Sequence, residues 1–60
     1  MSKRLLQAVL SKDLNDVIKY VKKGDDINFK DSDGKTALMI ASENNYTEIV
    51  EFLTSQGANI

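Results

Sequence analysis

Gly34-Lys35-Thr36 has the look of a phosphate loop, and Asp31-Ser32-Asp33-Gly34 that of a calcium loop. A phosphate loop also needs a glycine five positions before Gly34, where its backbone N-H groups begin to wrap the anion, and Phe29 occupies that position. With Gly34 at the sixth position of a calcium loop, the first ligand would be Phe29 and the bidentate acid would be Ile40, neither of which offers an oxygen. Catalysis needs an activated nucleophile or an acid/base pair with separated pKa values. The chain has no cysteine and no histidine, and its acids are scattered over helix starts and turns. Lys22-Lys23 lies near a helix C-terminus, where cations complement the dipole. The charged residues therefore read as caps and turn formers. No enzyme activity, cofactor or metal is expected.

Sixty residues make one small domain at most, burying a smaller share of unfolded surface than a full-sized domain. Without Cys or His, neither a disulfide framework nor a zinc site of the usual kind can reinforce it, which leaves stacking or association. Eight Lys/Arg against nine Asp/Glu give an interspersed net charge of −1, unsuited to gripping a phosphate backbone, so nucleic acid is not the expected partner. Leu5 to Leu10 is too short and mixed for a secretory core or a membrane span, so no membrane partner is expected and cytoplasmic retention is the simplest expectation, with export by a specialised machine as the alternative.

The elements that carry these residues are written twice. A shift of 33 residues superposes Leu5 on Leu38, Ala8 on Ala41, Gly24 on Gly57 and Ile27 on Ile60. A shift of 32 superposes Leu14 on Tyr46, Val17 on Ile49, Ile18 on Val50, Tyr20 on Phe52 and Val21 on Leu53, which predicts one extra residue before the second helix of the first copy and one fewer at that helix's end. Leu14, Val17, Ile18 and Val21 fall at i, i+3, i+4 and i+7, as do Tyr46, Ile49, Val50 and Leu53, and each set predicts the apolar face of a second helix. Leu5, Ala8 and Val9 supply the shorter first helix of one copy; Leu38 and Ala41, with Ile40 alongside, supply that of the other.

Asp13 with Asp16, and Asn45 with Glu48, predict helix caps followed by an acid in the first turn, and Gly24 and Gly57 predict the stops. Between the helix pairs, Ile27-Asn28-Phe29 reads as extended and Asp31-Ser32-Asp33-Gly34 as a turn. The expectation is an all-α, single-domain fold over 1–60, with units 1–28 and 29–60 stacked as helix-turn-helix pairs joined by a projecting β-turn loop. The far side of the second pair is left without a neighbour.

Asp31-x-Asp33-Gly34-Lys35-Thr36-Ala37-Leu38-Met39-Ile40-Ala41-Ser42, followed by Asn45 to Leu53 and by Gly57-Ala58-Asn59-Ile60, resembles an ankyrin repeat. Ala8 through Val17, then Lys23 to Asn28, is similar to the opening repeat of such proteins, so the resemblance covers nearly the whole chain. Thr36-Ala37-Leu38-Met39 stands where the family has Thr-Pro-Leu-His, losing the proline that fixes φ at a helix start. Asn45 stands for the usual glycine between helices, a left-handed substitute. A third repeat's turn would begin at Ile60.

The resemblance implies a solenoid that binds another protein along its concave side, through turn tips and the exposed face of each first helix, with no shared catalytic residues. On this chain it implicates Lys30, Ser32, Asp33 and Lys35 on the turn, and Met39, Glu43 and Asn44 on the helix. Plain solvent exposure is the alternative for each, and Met39 either fills the gap between repeats or meets a partner. A rival reading is self-association through the uncovered second-repeat face into a homo-oligomer. A DNA-binding helix-turn-helix would want a basic recognition helix, and Asn45 through Gln56 carries two acids and no Lys or Arg.

Overall fold

The computed structural model describes residues 3–57, which form four helices: α1 (Lys3–Leu10), α2 (Leu14–Lys22), α3 (Ala37–Glu43) and α4 (Thr47–Ser55). α1 pairs with α2 and α3 with α4, and the two pairs stack through α1 on α3 and α2 on α4. No strand occurs among the described residues. The all-α stack of two helix-turn-helix units is the architecture the repeat predicts. The Ile60 position, where a third turn was expected to begin, lies outside the described residues.

One core runs through both units. Leu5, Leu6, Ala8, Val9 and Val17 from the first meet Ala37, Leu38, Ile40, Ala41, Ile49 and Leu53 from the second. Each large aliphatic side chain among them contributes roughly 1.5–3 kcal/mol by leaving water, so losing the neighbour would expose much of what either pair has to offer. Leu14, Tyr20, Val21, Ile27, Phe29, Tyr46, Val50 and Phe52 pack half-buried around this centre.

The Asp13 cap and the glycine stops are as expected, and the structure adds a cap at Thr36. The Asp13 side chain caps α2 by accepting from the Asp16 N-H at 3.1 Å. Thr36, itself buried, caps α3 by accepting from the Met39 N-H at 3.3 Å. Gly24 follows the end of α2 with φ 95°, a conformation that would set a Cβ against the backbone, and Gly57 repeats it after α4 at φ 87°.

Three expectations are corrected. Asn45 does not cap α4: Tyr46 is the N-cap residue and makes no side-chain capping bond, while Asn45 sits one position earlier in the left-handed region at φ 58°. It takes the backbone role of the family's glycine, which an N-cap residue cannot also fill. Ile27-Asn28 is not extended but turned. The Phe29 N-H donates to the Asp26 carbonyl at 3.1 Å and the Asn28 N-H to Asp26 Oδ1 at 3.0 Å, closing a side-chain-assisted turn.

The third correction concerns register. The first unit carries no extra residue: Lys12 and Asn45 share a positive φ, Asp13 and Tyr46 are the N-caps, and Leu14 and Thr47 open the second helices. Lys22 and Ser55 close them, and every pair is 33 apart. Yet the buried residues of α1 (5, 6, 8, 9) and α3 (37, 38, 40, 41) are offset by 32. The reason is geometric. Each unit has its neighbour on the opposite side, so the buried stripe rotates about a helix whose backbone has not shifted.

Candidate protein-interaction surface

The loop before α3 is organised by one carboxylate. Asp31 Oδ1 accepts from the Asp33 N-H at 2.8 Å and from the Lys35 N-H at 3.0 Å. The Gly34 N-H donates to the Asp31 carbonyl at 2.9 Å, and the Asp31 N-H to the Lys35 carbonyl at 3.0 Å. With its backbone groups tied inward, the turn leaves Lys30, Ser32 and Asp33 exposed. A short loop held this way has little backbone entropy left to lose on contact.

Lys35 leads from the turn to the helix. Its Nζ donates to Glu43 Oε1 at 2.9 Å, spanning the length of α3. That hydrogen bond, with the attraction of the same carboxylate, holds the Lys35 ammonium above its ordinary pKa, and the nearby Asp33 and Asp31 add to it. Both ends remain in solvent, so the pair orients two charges more than it stabilises the fold. Beneath it runs a shallow groove lined by Leu38, Met39 and Ser42, with Asp33, Gly34, Lys35 and Glu43 at its rim.

The structure thus brings Asp33, Lys35, Met39 and Glu43 to one groove, and leaves Lys30 and Ser32 exposed on the loop outside it. Asn44 is exposed at the end of α3, but its Nδ2 donates to the Ile40 carbonyl at 2.8 Å, so part of its hydrogen-bonding capacity serves the helix end. Leu10 is 60 % exposed at the end of α1 and lies outside the groove.

Stacked helix-turn-helix units on a 33-residue register, joined by a carboxylate-braced turn, define a helical repeat scaffold. A family model described as ankyrin repeats (3 copies) matches residues 5–60. The chain is also similar to an ankyrin repeat protein of fowlpox virus (strain NVSL), at 46% identity over 59 residues. That match covers 93% of this chain and 17% of the relative, so the chain spans about a sixth of the relative's length. The chain belongs to the ankyrin-repeat family. Ankyrin repeats are in general protein-protein interaction modules, a scaffold family without a catalytic function of its own.

Proposed function

We propose that this chain is a non-catalytic interaction module that docks another protein on the turn residues Lys30, Ser32, Asp33 and Lys35 and on the adjoining helix residues Met39, Glu43 and Asn44. The observation that carries the reading is the Asp31-braced turn coupled through Lys35 to Glu43. It fixes the backbone that carries charged and polar residues of both signs, and leaves their side chains outside the core. A partner suited to it presents complementary charges around a small apolar contact, so that Lys35 and Glu43 exchange their mutual bond for intermolecular ones.

The test is site-specific photo-crosslinking in cells that express the protein. A crosslinker in place of Ser32 should yield a discrete protein adduct. The same crosslinker at exposed Asn15 on α2 should not, and Lys35→Glu with Glu43 intact should abolish the Ser32 adduct. Equal adducts from Ser32 and Asn15, or none from Ser32, would remove this surface from consideration.

A further inference from the structure

Asp33-Gly34 is the one place in the chain where an aspartate or asparagine is followed by glycine. Every other Asp or Asn precedes a residue that carries a side chain. The difference is chemical. A glycine nitrogen has no Cβ beside it to hinder attack on the carboxyl carbon of the preceding aspartate, its Cγ.

The reaction open to such a pair consumes nothing but water. The Gly34 nitrogen bonds to Cγ of the protonated Asp33 carboxyl. The carboxyl hydroxyl and the Gly34 amide hydrogen leave together as water, and a five-membered succinimide closes. Water then adds to one of the two ring carbonyls. Opening at Cγ restores the original chain, whereas opening at the Asp33 main-chain carbonyl leaves the chain running through Cγ, a β-linked aspartate one main-chain atom longer.

Packing does not stand in the way of the ring. Both residues are exposed, and a Cβ placed on Gly34 would meet nothing within 4 Å. Hydrogen bonding does stand in the way. Three consecutive amides all donate to Asp31: Asp33 to Oδ1 at 2.8 Å, Gly34 to the carbonyl at 2.9 Å and Lys35 to Oδ1 at 3.0 Å. The middle hydrogen is the one that must leave, and the Asp31 carbonyl holds it. Bringing the Gly34 nitrogen onto Cγ also means turning a peptide plane that the other two amides anchor from either side. Ring closure therefore waits for a local opening of the turn.

We propose that Asp33-Gly34 is a site of spontaneous backbone modification, passing through a succinimide to a β-linked aspartate, and that Asp31 holds it shut in the folded protein. The modification needs no partner, so it stands apart from the docking reading. Its product alters the same surface. An added main-chain atom between Asp31 and Lys35 breaks the spacing by which one carboxylate oxygen accepts from both the Asp33 and Lys35 amides, and shifts Lys35 from the position in which it reaches Glu43.

The test ages the 60-residue chain at neutral pH, folded in buffer and unfolded in guanidinium chloride, and follows residue 33 by tryptic peptide mapping. The β-linked peptide has the mass of its parent, separates from it by chromatography, and is assigned by electron-transfer fragmentation. It should accumulate in guanidinium chloride and several-fold more slowly in the folded chain. Asp31→Ala, shown to be folded by circular dichroism, should close most of that gap. Asp31→Asn, whose amide oxygen accepts the same two bonds, should age like the wild type. Hydrogen exchange of the Gly34 amide should show protection in the wild type, and it decides the role of Asp31 if Asp31→Ala does not fold.

No β-linkage in guanidinium chloride would remove the site. Equal ageing of the folded and unfolded chains, a Gly34 amide that exchanges at the unfolded rate, or a folded Asp31→Ala that ages like the wild type would overturn the part given to Asp31.

Discussion

Arg4 and Asp25, 21 residues apart in sequence, meet in a two-pronged ion pair: Nε to Oδ2 at 3.0 Å and Nη2 to Oδ1 at 2.9 Å. The contact ties the start of α1 to the chain leaving α2. It joins with the Tyr20 ring beneath the guanidinium to close the outer face of the first unit. The Asp25 side chain is only 4 % exposed, and the Arg4 hydrogen bonds hold its carboxyl below the ordinary aspartate pKa while burial pushes the other way.

The pair gives stability a definite dependence on acid. Because the folded pKa of Asp25 is lowered, its contribution is fully present above the ordinary aspartate value and is lost as pH falls through the folded value. Carboxyl carbon NMR should show Asp25 titrating at higher pH in Arg4→Ala than in the wild type. Arg4→Lys should recover only part of the difference, since an ammonium cannot make the fork. An unmoved Asp25 titration in Arg4→Ala would show that the pair does not set it.

Thr36 is buried and gives the α3 start its only side-chain cap. Thr36→Ala should cost about 1 kcal/mol, within the usual cap range of roughly 0.5–2 kcal/mol, and Thr36→Ser should restore most of it. Urea unfolding followed by circular dichroism measures both. A loss in Thr36→Ser as large as in Thr36→Ala would locate the effect in the threonine methyl group.

Lys12 holds φ 54° with its ammonium 5.5 Å from the Tyr46 ring centre. The left-handed conformation costs an L residue roughly 1–2 kcal/mol, more than the roughly 0.5–1 kcal/mol of an exposed cation-π contact. Lys12→Gly should therefore leave the protein as stable or raise its stability by up to about 1 kcal/mol. A clear fall in melting temperature would mean the Tyr46 contact outweighs the strain.

Leu6 and Met39 occupy the same register position, yet Leu6 is 5 % exposed and Met39 42 %. Leu6→Ala should cost roughly 2–5 kcal/mol, enough to leave a chain of this size largely unfolded, whereas Met39→Ala should stay within about 0.5 kcal/mol. Ellipticity of the two variants in the absence of denaturant separates them. Similar losses would mean that Met39 already has a cover in the 60-residue chain.

Much of this fold was legible in the sequence because it rests on local chemistry. The 3.6-residue apolar spacing of Val17, Ile18 and Val21, the Asp13 cap and the Gly24 stop each act within a few residues, where one side chain meets its own backbone. The turn around Asp31 was readable for the same reason. Of the surface, the exposed residues Lys30, Ser32 and Asp33 followed from their place in that turn.

What only the tertiary structure decided depends on which side of each unit has a neighbour. Matching side chain to side chain suggested an inserted residue between the copies, because Val17 resembles Ile49 in type; backbone register pairs it with Val50 instead. Burial is a property of the stack: the position that makes Leu6 core makes Met39 surface, and the one that puts Ile40 inside puts Gln7 outside. The Arg4 to Asp25 fork and the Lys35 to Glu43 bridge likewise form only once packing has placed their helices and loops. The sequence by itself determined the four helices, the Asp13 cap and the Gly24 stop, since those free energies are local. Which apolar side chains lose their water was decided by stacking, as Leu6 and Met39 show.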